Sequence, residues 1–118
     1  MIEIVTDLNI INFKPLDLIT GRANWALDKS PQTIIITLLW HTVGKGNEAS
    51  ELIDQIKIAA GQKSGESSFT LKIPEIVPYS YNGKLFKIAW IIEATTEPII
   101  EKQELEIYVS SDGQPVNI

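Results

Sequence analysis

The sequence reads PYSYNGKLFKIAWIIEA from Pro78 to Ala94. Its Asn82-Gly83 pair is typical of a tight turn, because both residue types tolerate a positive φ angle. The residues that follow alternate at period two, and successive side chains of a strand point to opposite faces. The pattern therefore predicts a turn followed by a strand. Its buried face would consist of Phe86, Ile88, Trp90, Ile92 and Ala94.

Six other segments resemble strands, and clusters of Gly, Pro, Asn, Asp and Ser separate them at the spacing of a β-sandwich. The seven segments lie within residues 2–13 and over residues 17–27, 33–43, 51–60, 67–73, 84–96 and 102–111. The last two flank a turn at residues 96–98, and we expect them to pair as antiparallel neighbours. Residues 51–60 fit a strand or a helix, and their alternation and strand neighbours favour a strand. We expect one all-β domain over residues 1–118, a two-layer antiparallel sandwich of the immunoglobulin-like class with about seven strands.

The charge balance limits the classes of partner. Ten Lys and Arg residues stand against fifteen Asp and Glu residues, which gives a formal net charge of −5. An acidic surface repels the phosphates of nucleic acids and the head groups of anionic lipids. We therefore expect neither nucleic acid nor a membrane surface as a partner.

The chain contains no cysteine, so disulfides, thiolate nucleophiles and thiolate metal ligands are excluded. Its first residues lack the basic segment and apolar run of a signal peptide. No apolar run approaches the length that spans a membrane. We expect a cytoplasmic protein without membrane insertion.

Few residues suggest chemistry. His41 is the only histidine, and a catalytic base would need an orienting carboxylate and a nucleophile beside it. An ordinary strand histidine is the favoured interpretation, and an enzyme with a site around His41 and Lys45 is the less favoured one. The acidic residues do not follow the spacing of a calcium loop. We expect no catalytic residue, no cofactor and no metal.

The aromatic residues raise a second possible function, that of a carbohydrate-binding module. Trp25, Trp40 and Trp90 would form a stacking platform in a carbohydrate-binding module, but each is in phase with Ile, Leu or Ala, which favours the core. Tyr79 and Tyr81 lie in a turn region, where they are either partly exposed or, as is commoner, have a hydroxyl that ties down the loop.

Two patterns resemble those of arrestin-like domains. The early pattern of aromatic, proline, acidic, β-branched and glycine residues is matched in order by Phe13, Pro15, Asp17, Ile19 and Gly21. The middle pattern resembles residues 69–74, Pro78 to Ser80, Gly83 and residues 88–94. One departure is that Leu16 stands where the family usually has a glycine after the proline.

The resemblance implies a sandwich of the arrestin type, similar to one sandwich of the bacterial sporulation-control proteins, a family whose fold binds other proteins. We expect a non-enzymatic interaction or scaffold domain that binds a protein partner, or a second copy, through a sheet edge or the loops at one end. Residues 3–6 and 10–13 would pair across such an interface or within the domain. The candidate binding residues are Lys45, Asn47, Tyr79 and Tyr81.

Overall fold

The computed structural model describes residues 1–44, 48–98 and 101–114. Within these residues there are nine strands and a short 3-10 turn at Asp7–Asn9. The strands are β1 Ile2–Thr6, β2 Asn12–Phe13, β3 Leu18–Ala26, β4 Thr33–Gly44, β5 Ser50–Ala59, β6 Ser64–Lys72, β7 Tyr81–Asn82, β8 Phe86–Glu97 and β9 Lys102–Val109. The all-β prediction is confirmed, and the ambiguous residues 51–60 fall almost entirely in β5. The structure has nine strands and not the expected seven. The two additional strands, β2 and β7, have two residues each, which is too short for an alternation of apolar and polar residues to be recognised in the sequence.

The strands form two sheets. The smaller sheet has the order β1-β3-β6, and the larger has the order β2-β9-β8-β4-β5, with β7 paired to the first residues of β8. All pairs are antiparallel except β2 with β9. The predicted hairpin of the last two segments is confirmed, since β8 pairs with β9.

The apolar faces of the two sheets form one core. The smaller sheet contributes residues such as Ile19 and Leu71, and the larger contributes Ile36, Trp90 and Ile92, all of them fully buried. These inward residues follow period two along their strands, as the sequence pattern predicts. Burying each such side chain stabilises the fold by about 1.5–3 kcal/mol before the cost of chain entropy is counted.

The strands of the two sheets differ in length, and this difference shapes one end of the domain. β4 and β8 have twelve residues each, whereas β3 and β6 have nine. Since a strand rises about 3.3 Å per residue, the larger sheet extends roughly 10 Å beyond the smaller one. Thr96, near the end of β8, is fully buried, but Phe86, at its start, is 43% exposed. The prediction that Phe86 is buried is therefore wrong: its phase is inward, but the smaller sheet ends before it.

The early arrestin-like pattern forms the turn between β2 and β3. The backbone N–H of Asp17 donates to the carbonyl of Lys14 at 3.1 Å, and Leu16 has a φ angle of +74°. This is a type II turn, whose third position favours glycine. Leu16 thus occupies a left-handed conformation that costs an L-residue about 1 kcal/mol.

Lys14 and Asp17 close this turn with an ion pair of 2.6 Å. Desolvation of the Asp17 carboxylate acts to raise its pKa, but hydrogen bonds from the Lys14 ammonium and backbone N–H, with the ammonium charge, outweigh it and lower the pKa. A depressed folded-state pKa means that the pair stabilises the fold above the ordinary aspartate pKa, and that this contribution is lost as the pH falls.

Gly21 in β3 lies where two neighbouring strands come close. A Cβ atom on it would lie 2.3 Å from the Val5 carbonyl oxygen and 2.8 Å from the Phe69 ring. Both neighbours belong to the smaller sheet, so glycine here permits close packing within one sheet.

We predict that Leu16→Gly raises the free energy of unfolding by about 0.5–1 kcal/mol. Glycine relieves the left-handed strain, and this gain exceeds the cost of its larger conformational entropy in the unfolded chain. Urea denaturation followed by circular dichroism measures the change. Leu18→Gly is the matched control: Leu18 has similar exposure, 59% against 55% for Leu16, but lies in extended β3. There glycine lowers stability by a similar amount. Equal destabilisation by both variants would contradict strain at Leu16.

Candidate functional site

The exposed large apolar side chains of the described residues concentrate at one end of the sandwich. Thirteen such side chains are exposed, and nine lie at the end where β8 begins and β4 ends. Of the others, Met1 lies at the opposite end, Leu8 lies beside the outer face of β1 and β3, and Leu18 and Leu52 lie on β3 and β5. We call the nine residues the apolar end: Ile10, Leu16, Val43, Ile76, Tyr79, Tyr81, Leu85, Phe86 and Tyr108. Clusters of this kind mark interaction surfaces more often than single exposed residues do.

Hydrogen bonds to the core hold the segment before β7 in place. The backbone N–H of Ser80 donates to the Val109 carbonyl at 2.8 Å, and the Val109 N–H donates to Ser80 Oγ at 2.8 Å. The indole N–H of the buried Trp90 donates to the Pro78 carbonyl at 3.0 Å. Tyr79 and Tyr81 flank Ser80, so their backbone is tied to β9 and their side chains project from a fixed support.

The β7–β8 hairpin presents the aromatic part of the apolar end. Its turn is closed by the Gly83 N–H, which donates to the Phe86 carbonyl at 3.0 Å. The Tyr81 ring lies directly over Gly83, where a Cβ atom would lie within 2.5 Å of three of its atoms. The ring centroids of Tyr81 and Phe86 are 4.9 Å apart with the planes tilted by 38°. Glycine at position 83 therefore makes room for an aromatic pair at the surface.

Two depressions flank Tyr81. The first is a pocket of about 180 Å³ between β7 and β9, at whose rim the Lys87 ammonium and the Glu106 carboxylate form a 2.9 Å ion pair. The second is an open, mostly apolar cleft of about 570 Å³, which we call the end cleft. Its lining consists of Tyr79, Ser80, Tyr81, Phe86, Ile88, Ser110 and Ser111.

Of the predicted binding residues, Tyr79 and Tyr81 lie together at the apolar end, and both are partly exposed. Lys45 and Asn47 lie outside the described residues, so their role stays a prediction. The preceding residue, Gly44, pairs with Phe86. Sequence reasoning did not select Leu85, Phe86 or Ile76. Ile76 carried a usable signal, because it is a large apolar residue between two predicted strands, whereas Leu85 falls inside the predicted strand 84–96.

Both N-terminal segments with a proposed role at a sheet edge are paired inside the domain. β1 pairs with β3, and β2 pairs with β9. At the outer edge of β6, the Asp54 carboxylate of β5 accepts a hydrogen bond from the Lys72 N–H at 3.1 Å. A side chain that occupies an edge donor hinders the addition of another strand there. The edge of β6 is blocked at this point, whereas the end loops expose apolar side chains.

The described residues show no arrangement for catalysis around His41. This side chain lies on β4, half-buried and opposite Ser50 and Ala89, and no hydrogen bond or ion pair within the described chain involves its ring. No group of three or more His, Cys, Asp or Glu side chains among these residues is placed to hold a metal ion. None of the residues described forms a helix long and apolar enough to cross a membrane.

The tryptophans pack in the core, as their sequence phase predicts. Trp90 is fully buried, Trp25 is buried, and the half-buried Trp40 packs against the same cluster. The Trp25 indole N–H donates to the Gln62 carbonyl at 3.1 Å. Three indoles placed in this way do not form an open stacking row.

Comparison with solved structures identifies the fold. Spo0M, a sporulation control protein from Bacillus subtilis, matches with a TM-score of 0.63 and 14% sequence identity over 92% of this chain. The chain has an arrestin-like fold. The match covers 48% of the Spo0M chain, so this chain spans about half the length of that protein. No protein-family model matches the sequence, and no curated protein matches it significantly.

We predict that the tryptophan emission of the folded chain is blue-shifted and that iodide quenches it weakly, because no indole is widely open to solvent. Stern–Volmer measurements in buffer and in 8 M urea, with urea as the fully accessible reference, test this. Equal quenching in the two conditions would place the indoles at the surface.

We predict that Ser80→Ala lowers the free energy of unfolding by about 1–2 kcal/mol, because it leaves the buried Val109 N–H without its acceptor. Urea denaturation measures the loss, and hydrogen exchange of the Val109 amide shows whether the lost bond is its cause. Ser68→Ala, at an exposed position on β6, serves as the control and changes little. A Val109 amide protected equally in both variants would refute the role of Ser80.

Proposed function

We propose that this chain is a non-enzymatic, cytoplasmic protein-interaction domain that binds its partner through the apolar end. The observation that carries the proposal is the asymmetry of exposed apolar side chains, nine of thirteen at one end among the described residues. Scattered exposure would need no explanation, but a concentrated patch is unfavourable in water unless something covers it.

The size of the patch suits a moderate affinity. The domain measures 42 × 30 × 20 Å, and its twelve-residue strands account for the longest dimension, since twelve residues extend about 40 Å. The end face is therefore about 30 × 20 Å. Covering roughly 400 Å² of apolar surface there would stabilise a complex by about 10 kcal/mol before association costs of about 4–15 kcal/mol. The balance favours reversible binding over permanent assembly.

The rigid support of Tyr79 and Tyr81 lowers the conformational-entropy part of the association cost. Tyr79 and Tyr81 flank a residue hydrogen-bonded to β9, and the Tyr81 ring is held between Gly83 and Phe86. Side chains already held in place lose less conformational entropy on binding. Tyrosine is also a residue type enriched at protein interfaces.

We predict that Ile76→Ser combined with Tyr79→Ser reduces partner capture at least about tenfold, because it removes two exposed apolar side chains of the patch. The immobilised chain is incubated with native lysate, and the bound proteins are quantified by mass spectrometry. The matched control is Leu52→Ser, an exposed leucine on β5 outside the apolar end. Circular dichroism and thermal unfolding check that both variants fold.

Identical capture by the wild-type chain, the double variant and Leu52→Ser would refute the proposed surface. The same assay tests the predicted residues Lys45 and Asn47 when both are changed to Ser. Loss of capture in that variant alone would move the binding surface to residues 45–47.

A carbohydrate-binding module is the second candidate. Partly exposed aromatic rings, those of Tyr79, Tyr81, Phe86 and Tyr108, offer faces on which sugars could stack. The protein-binding proposal is preferred because the apolar end also exposes aliphatic side chains such as Ile76 and Leu85, which do not stack on sugars. Binding to a glycan array that is lost on Tyr79→Ser and Tyr81→Ser would favour the sugar.

A further inference from the structure

We propose that the partner of the apolar end is a second copy of this chain, and that Leu85 of each copy enters the end cleft of the other. This inference rests on the proposed function, whose surface it shares. It names the occupant of that surface and the residue that anchors it.

The apolar end contains both a projection and a depression. Leu85 lies at the tip of the β7–β8 hairpin with 72% of its surface exposed. The end cleft begins one residue along the chain, since Phe86 is part of its lining together with Tyr79, Tyr81 and Ile88. A two-fold symmetric contact requires a surface that is complementary to itself. A projecting leucine beside an apolar cleft meets this requirement, because one rotation makes two identical insertions.

The available area agrees with a weak dimer. The end face, about 30 × 20 Å, allows each copy to bury roughly 500–600 Å², or about 1,000–1,200 Å² in total. This total lies at the lower limit for specific interfaces and in the range of transient ones. We therefore expect a monomer–dimer equilibrium with a dissociation constant near or above 1 µM, not an obligate dimer.

Charge gives the dimer a distinctive dependence on salt. Each copy carries a formal charge of −5, so two copies repel one another at low ionic strength. Salt screens this repulsion, while apolar contacts persist. Dimerisation through the apolar end therefore strengthens as NaCl is raised from about 20 mM to 500 mM. An interface held by ion pairs would weaken instead.

Sedimentation velocity over a concentration series is the first test. The wild-type chain is expected to shift from monomer to dimer between about 1 and 500 µM, more readily at high salt. Leu85→Ser weakens the dimer at least about tenfold, because a buried anchor is lost. Leu52→Ser, the control used above, leaves the equilibrium unchanged. X-ray scattering should show a dimer about twice as long as the 42 Å axis, because the copies meet end to end.

Cross-linking tests the specific contact. The sequence contains no cysteine, so introduced thiols are the only ones. The Leu85→Cys and Tyr79→Cys variants are mixed and oxidised at a concentration at which the wild-type chain dimerises. The mixture should yield a disulfide-linked pair joining position 85 of one chain to position 79 of the other. Mixing Leu85→Cys with Leu52→Cys should yield no such pair above the level of random collision.

The outcomes separate this inference from the proposed function. A chain that stays monomeric to about 500 µM, or a dimer that Leu85→Ser does not weaken, overturns the inference. If such a chain still captures a lysate protein through Ile76 and Tyr79, the proposed function stands with a different partner. If capture is also insensitive to those residues, both proposals fail.

Discussion

Mutual coverage of two apolar sheet faces is the constraint on which the rest of this structure depends. Each sheet is stable only where the other covers its inner residues, and coverage reaches only as far as the shorter strands extend. Over most of the length the match is complete, and residues such as Ile19, Ile36 and Trp90 are fully buried. Beyond the end of the smaller sheet, β4 and β8 continue with inward-phase residues that nothing covers fully. Phe86 is the point at which the core continues past its cover, and the loop residues of the apolar end surround it.

Local anchors make that uncovered end ordered instead of frayed. The reciprocal hydrogen bonds of Ser80 with Val109 connect the segment before β7 to β9. The buried Trp90 indole N–H also donates a hydrogen bond to the Pro78 carbonyl. The rings of Tyr81 and Phe86 then pack together over Gly83. A surface built in this way is preorganised, and preorganisation is what allows a small interface to bind with useful affinity.

The arrestin-like fold does not by itself identify a function. A likeness to Spo0M at 14% identity, over half of that protein's length, describes the backbone and not the partner. The same fold can carry different sites, so the functional argument rests on the exposed side chains of this chain. Leu16 shows how far such details diverge: the turn retains the geometry that favours glycine, although the residue is leucine.

Much of the architecture was predictable from the sequence by itself. Period-two alternation and turn residues predicted the β8 strand, its hairpin with β9 and the tryptophans of the core, because side-chain direction in a strand follows from local geometry alone. Partial exposure of Tyr79 and Tyr81 was one of two interpretations of their position beside an Asn-Gly turn, and the structure decides for it. Phe86 was predicted to be buried, since its phase is inward. Only the tertiary structure decided that it is exposed and that Leu85 and Ile76 join it. That outcome depends on where the opposing sheet ends, and the pattern of one strand carries no information about the length of the strands packed against it.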